Sequence, residues 1–332
     1  MKSIARVGVI GLGRWGESHV QAFSKVKGAE VVAVCDVRPE RLARVAEAYG
    51  IVGRYSNVDD MLAAEKLDLV SVVTHETDHF LPVSQALSAG VHVFAEHPFA
   101  TNPAAAVELW KRAIERELNL FVPRLLRAHA GYRSVYEAIK QGKLGKLERI
   151  ELSRSRSVSI RKHYDRLPTY YENLLFEMDI AFWLAGAVKF DRMQTFGSKA
   201  LENGIRNIER LEFEFDNGVQ GTMSNVWKTE GEGPLTNGSL SVIGDAGRID
   251  IDTSDLTYLL GDPWKCGSVA LPGGADLLEF GLEALVGELQ SACDRVRAGM
   301  RPDYNAVKEA NILVDVADTT LRSIDFKYAV HY

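Results

Sequence analysis

The sequence predicts an α/β protein in two parts, a doubly wound parallel sheet over residues 1–123 and an α+β part with a largely antiparallel open sheet over residues 124–332. Three observations predict it. Short apolar runs alternate with helix-like stretches through the first 122 residues. A glycine-rich turn, "GLGRWG", follows the first of these runs directly. After about residue 145 the pattern changes to apolar–polar alternation around Asn-Gly and glycine turns.

The runs "ARVGVI", "VVAVCD", "LDLVSVV", "VHVFAE" and "LNLFV" read as strands. They are continuous rather than alternating, as parallel strands covered on both faces must be. Between them, "RPERLARVAEAYG" and "HFLPVSQALSAG" have helical spacing, and Gly90 suits the C-terminal end of the second. Strand–helix alternation implies right-handed crossovers and a doubly wound sheet. Further on, "LEFEFDNGVQGTMSNVW" alternates about Asn217-Gly218, a strong hairpin signal, and "SLSVIGDAGRIDID" repeats the pattern around Gly244 to Gly247. Two amphipathic helices are expected near 276–298 and 303–325, the first with a stripe of Leu278, Leu282, Leu285 and Leu289. The seam between the parts is placed near "VPRLLR", residues 122 to 127, with the final helices free to pack back on the first part.

Composition narrows the class. With 46% hydrophobic and 25% charged residues the chain reads as an ordinary globular protein. No run of about 18 apolar residues suggests a membrane span. The opening "MKSIARVGVIGLG" reads as a strand and its turn rather than a secretory leader. Cys35, Cys266 and Cys293 are scattered, with no CxxC pair to suggest a disulfide framework or a zinc site. A reduced, cytoplasmic setting and no metal are expected. A net charge of -6 argues against nucleic acid as a partner.

The turn itself carries chemistry. Gly11, Gly13 and Gly16 have GxGxxG spacing between a predicted strand and a predicted helix, and Asp36 ends the next predicted strand. This is the dinucleotide fingerprint of a Rossmann domain. Gly11 makes the tight turn, Gly13 lets the backbone approach a pyrophosphate, and Gly16 lets helix and strand pack closely. The helix N-terminus, with Leu12, Arg14 and Trp15 in the same turn, offers N–H groups and a positive dipole end to phosphates. The Asp36 carboxylate can accept both adenosine ribose hydroxyls. Against a 2′-phosphate it costs about 4 kcal/mol at roughly 4 Å with an effective dielectric near 20. NAD is therefore favoured, while Arg38 just beyond keeps NADP open.

"FAEHPFA", residues 94 to 100, follows a later parallel strand and so lies at the carboxyl edge, where open α/β sheets bind ligands. Taken together, "GLGRWG", Asp36, "VVTHETDH", "SAGVHVFAEHP" and "LFEMDIAFWLAG" resemble the Gfo/Idh/MocA family, the glucose–fructose oxidoreductase and inositol dehydrogenase-like enzymes, over nearly the whole chain. The resemblance implies an NAD(P)-dependent oxidoreductase acting on sugars, cyclitols or related carbonyl or hydroxyl compounds. It implies that Thr74, with His75 beside it, flanks the nicotinamide half of the cofactor and that Glu96 lies by the nicotinamide ribose. His79 and Arg127 match positions that the family often fills with the same residue types. It also implies a homodimer or homotetramer.

The chain departs from the family where the proton is handled. His97 stands where the family's Glu-Lys-Pro motif has lysine, and Glu172 and Phe176 stand where a later motif has aspartate and histidine. An unperturbed histidine titrates near about 6.5, so His97 suits a proton acceptor at neutral pH. It is the first candidate acid/base, with Glu96 expected to raise its pKa if the side chains meet. The alternative is that His97 fills space or binds cofactor. Glu172 and Tyr171 are the supporting catalytic candidates, and Arg124, Arg156, His163, Tyr164 and Phe176 the candidate substrate contacts. Glu177 and Asp179 are expected to orient their helix or its neighbours. The basic stretch 153–163 reads either as a solvated face or, through Arg156, as a grip on an anionic substrate. Two other functions stay open: reduction of a C=C or C=N bond without the usual lysine and histidine, and a catalytically inactive NAD(P)-binding sensor.

Overall fold

The computed structural model describes residues 4–157, 175–199, 206–228, 236–252, 277–326 and 330–331. Contacts divide the chain into two compact units, Met1–Pro123 with Leu282–Val314 and Arg124–Gly281 with Asp315–Tyr332.

The first unit alternates strand and helix: β1 (Ala5–Ile10), α1 (Arg14–Phe23), β2 (Ala29–Cys35), α2 (Pro39–Tyr49), β3 (Gly53–Tyr55), α3 (Val58–Ala64), β4 (Leu69–Val72), α4 (Phe80–Ser88), β5 (His92–Ala95), α5 (Pro103–Glu115) and β6 (Leu120–Phe121). The six strands are parallel in the order β3-β2-β1-β4-β5-β6. Each expected strand is present. β3 was not expected, because "GRY" is too short to show a period. The direction of travel reverses between β1 and β4, which puts a crevice at the carboxyl ends of these strands.

Helix ends follow local chemistry. Asn57 and Asn102 cap α3 and α5, the Asn102 side chain accepting from the Ala105 N–H at 2.9 Å. After α4, Gly90 sits at φ +80°, and the Val91 N–H returns to the Ala86 carbonyl at 3.0 Å.

Near its C-terminus the chain forms α8 (Leu277–Arg297) and α9 (Tyr304–Phe326). The Gln290 amide brackets the Lys27 peptide, accepting from its N–H at 2.8 Å and donating to its carbonyl at 3.1 Å. The Arg297 guanidinium lies on Gly28, so close that an added Cβ would stand 2.5 Å from its central carbon. Val307, Ala310 and Val314 join the apolar cluster that contains Val72, Val93 and Leu109.

The second unit contains α6 (Ala130–Lys140), β7 (Leu147–Ser157), α7 (Leu175–Ala185), β8 (Phe190–Gly197), β9 (Ile208–Phe215), β10 (Gln220–Lys228), β11 (Thr236–Gly244), β12 (Gly247–Asp252) and β13 (Val330–His331). The order is β12-β11-β7-β10-β9-β8-β13. Both expected hairpins form, β9–β10 through Asn217-Gly218 with Gly218 at φ +83°, and β11–β12. The sheet is mixed rather than wholly antiparallel, because β7 and β10 pair parallel. Alternation along one strand reports which face is buried, not which neighbour it pairs with.

The inner face holds Phe190 and Phe215, stacked at 5.1 Å, with Phe182 of α7 packed on both. It also holds Arg154, which corrects the reading of 153–163 as a solvated face at this position. Arg154 is 2% exposed and forms an ion pair with Glu177 of α7. The Tyr132 hydroxyl donates to the other Glu177 oxygen at 3.3 Å. Strand alternation turns Arg154 inward with Leu152 and Leu240, so its charge needs a partner there.

Removing one member of that pair exposes the other. Glu177→Ala is expected to cost about 3–5 kcal/mol in urea unfolding. The double variant Arg154→Met/Glu177→Leu should cost clearly less, since no buried charge is left alone.

Candidate functional site

The glycine turn is built by contact limits. Gly11 sits at φ +90°, and an added Cβ would meet the Val73 carbonyl oxygen at 2.5 Å. At Gly16 a Cβ would collide with the Gly11 carbonyl oxygen. So Gly16 serves the approach of α1 to the turn itself. Gly13 differs: its nearest neighbour would be a guanidinium nitrogen of Arg41, at 3.9 Å. Gly13 is also the N-cap of α1, with no side-chain capping bond. The first-turn N–H groups and the open space over Gly13 therefore fit a phosphate group.

Asp36 is fixed against this turn. One carboxylate oxygen accepts from the Leu12 N–H at 2.6 Å, the other from the Arg38 N–H at 2.8 Å. Leu12 thus works through its backbone, its side chain being fully buried, while Arg38 and Arg14 are exposed. The residues present fit the adenosine and pyrophosphate part of a dinucleotide.

The other half of the crevice is formed after β4 and β5. Thr74 is partly buried and His75 exposed. His79, 1% exposed, bridges the two loops: Nδ1 is 2.8 Å from the Pro98 carbonyl and Nε2 is 3.2 Å from the Thr74 carbonyl. The His97–Pro98 peptide is cis, and His97 is partly buried.

Glu96 lies under this loop and is paired with a residue that sequence reasoning missed. His19 of α1, fully buried, has Nε2 at 2.9 Å from a Glu96 oxygen and Nδ1 at 2.8 Å from the Ser71 hydroxyl. The other Glu96 oxygen accepts from the His97 N–H at 3.2 Å. Burial alone would raise the Glu96 pKa. The hydrogen bond and charge of His19, the Trp15 indole and the His97 N–H outweigh it and hold the carboxyl below its usual range. Glu96 was expected to raise the His97 pKa if the two side chains met. The hydrogen bond between the two residues is made by the His97 backbone N–H, while His19 holds the other Glu96 oxygen. One signal was present: His19 falls on the apolar stripe of α1 with Gly16, Val20 and Phe23, where a polar residue needs a buried partner.

In the second unit, Asp179 receives two arginines. Arg127 binds it through two nitrogens, at 2.9 and 2.7 Å, and Arg124 also pairs with it. The expectation that Glu177 and Asp179 orient neighbouring segments holds, as each engages an arginine elsewhere in the chain. Arg124, a candidate substrate contact, points its guanidinium at Asp179. Arg127 also lies over the Trp183 ring at 5.6 Å, which stacks on Tyr136 at 4.2 Å. Phe176 is partly buried in the first turn of α7. Tyr171, Glu172, His163 and Tyr164 lie outside the described residues, and for Arg156 only the backbone in β7 is described.

Two outcomes follow from the turn and the buried carboxylate. Gly13→Ala should fold normally and weaken dinucleotide binding, whereas Gly16→Ala should lower the melting temperature, checked by calorimetry with and without NAD. Because the folded-state pKa of Glu96 is depressed, its stabilising contribution is full at neutral pH. It is lost as pH falls below about 4.5 and through the depressed folded value. Glu96→Gln should flatten that acid limb of urea stability.

Comparison with known proteins agrees with this geometry. Residues 5–123 match a family model described as "Oxidoreductase family, NAD-binding Rossmann fold". The chain is 33% identical over 137 residues to D-apiose dehydrogenase of Paraburkholderia graminis, a match covering 41% of this chain and 36% of that protein. It is 31% identical over 226 residues to inositol 2-dehydrogenase of Leifsonia xyli, covering 64% of each. Matches to these relatives thus span from about a third to just under two thirds of their length. In fold, the chain is similar to scyllo-inositol dehydrogenase from Lactobacillus casei, solved with NAD(H) and scyllo-inositol, at a TM-score of 0.82 and 17% identity over 99% of both chains. Among the described residues no helix is long and apolar enough to cross a membrane. Residues 5–123 thus match the Gfo/Idh/MocA oxidoreductase family model, which describes an NAD-binding Rossmann fold.

Proposed function

We propose that the protein is an NAD-dependent dehydrogenase of a cyclitol, sugar or related polyol. One observation carries the reading: Asp36 is anchored by the Leu12 N–H to a glycine turn whose helix N-terminus is uncapped and open at Gly13. Asp36 presents negative charge where a 2′-phosphate would lie, which supports NAD over NADP. The nicotinamide, when bound, accepts or returns the hydride. The chain's part is to hold the ring at the loops after β4 and β5 and to move a proton at the substrate oxygen. His97 takes that proton step, as the partly buried titratable side chain of the loop that Glu96 and His79 hold in place. The names of its relatives point to myo-inositol, D-chiro-inositol and D-apiose as substrates. Arg156 and the residues around Glu172 add substrate contacts, and an anionic polyol fits the arginine. Self-association into a dimer or tetramer is supported by exposed Phe196 and Ile208 on the second sheet.

The test is cofactor reduction with these polyols and their uronate analogues, using NAD and NADP in parallel. Turnover with NAD and at least one polyol is expected. His97→Ala should lower kcat by about a hundredfold or more with the Kd for NAD unchanged. Unaltered kcat would overturn the role of His97. Absence of turnover on the whole panel, with NAD still bound, would favour a sensor.

A further inference from the structure

The Ser71–His19–Glu96 chain has a property beyond holding a loop, and the inference rests on the cofactor reading above. A carboxylate only accepts hydrogen bonds, so Glu96 fixes a proton on Nε2 of His19. The state of Nδ1 is not fixed in the same way, because its partner is a hydroxyl. The Ser71 O–H can donate to a bare Nδ1, or its oxygen can accept from Nδ1–H. His19 therefore keeps both hydrogen bonds whether it is neutral or an imidazolium, with no movement of heavy atoms. The His19–Glu96 pair then carries a net charge of either −1 or zero.

Its place in the fold gives that choice a consequence. The sheet is built from two mononucleotide-binding halves. Asp36, at the end of β2, marks the adenosine half. Glu96, at the end of β5, lies in the half that takes the nicotinamide. The oxidised ring is a cation and the reduced ring is neutral. In a buried site a unit of charge is weakly screened, so a change in ring charge bears on the ionisation of the pair.

We propose that Ser71, His19 and Glu96 form a proton reservoir matched to the redox state of the cofactor. The pair carries −1 with the oxidised ring bound, and His19 takes one proton from solvent when the reduced ring binds. The groups facing His19 are Ser71 of β4, Glu96 and the Phe94 ring of β5, and Trp15 one turn earlier on α1. His97 faces Glu96 through its backbone N–H. Of the described neighbours, Glu96 alone is an acid in contact with the imidazole, so the charge change centres on the pair. His19 is by this reading a positioning and charge-setting residue rather than a catalytic one.

The experiment measures proton uptake on binding NAD and NADH separately, by calorimetry of the full chain in buffers of different ionisation enthalpy. More protons taken up with NADH than with NAD are expected. The ratio of the two dissociation constants should change with pH, by up to about tenfold per unit, the slope of one linked proton. His19→Gln keeps a donor toward Glu96 but cannot titrate, and should abolish both the uptake difference and the pH slope. Ser71→Ala, the smaller change, should reduce both. Equal uptake for the two cofactors in the native chain overturns the proposal, and so does a difference that survives His19→Gln. A native chain that binds neither cofactor instead removes the cofactor reading, and this inference with it.

Discussion

The first unit depends on one steric constraint: α1 begins in contact with the carbonyl of Gly11, an approach that only a glycine at position 16 allows. That contact sets the pitch and origin of α1. It leaves the helix N-terminus uncapped and open at Gly13, and it carries Trp15 and His19 down onto β4 and β5. A side chain at position 16 would push the helix outward. The phosphate cradle would open, and the His19–Glu96 hydrogen bond would stretch. The glycine pattern thus supports a buried polar contact as well as a nucleotide turn.

Around that constraint, polar and charged groups are buried with partners. Asp36 is held by two backbone N–H groups, Glu96 by an imidazole, an indole and a backbone N–H, and His79 by two carbonyls. These groups share the carboxyl ends of the parallel strands, where loops have free backbone groups to offer. The same rule works in the second unit for structural ends. Arg154 and Glu177 satisfy each other under α7, and Asp179 gathers Arg124 and Arg127. Asp179 has two cations and Glu177 one, so α7 works as an electrostatic anchor for the elements before it. Its apolar side chains, Met178, Ile180, Phe182 and Leu184, are buried as well, which gives the helix no freely solvated face in the middle.

His97 and Phe176 are the two positions where the sequence departs from the motifs it resembles, and their side chains differ in chemistry. His97 keeps a titratable nitrogen on a loop held on both sides, through Glu96 and through the His79–Pro98 contact. Phe176 removes one. Its ring sits partly buried in the first turn of α7.

The sequence by itself determined the parallel sheet, the two hairpins, the glycine turn with Asp36, and the terminal helices. Each is a local property, set by period, by backbone conformation or by a short motif. Glu96 and His97 were visible for the same reason, as an abrupt polar stop after a buried strand. Only the tertiary structure decided that Glu96 belongs to His19 and Ser71, residues 77 and 25 positions away. It alone decided that Arg154 turns inward to Glu177, and that β7 and β10 run parallel. A buried charge announces that it has a partner but not which one. The partner is chosen by how helices and strands lie across each other, and that geometry comes from packing rather than from any single stretch of chain.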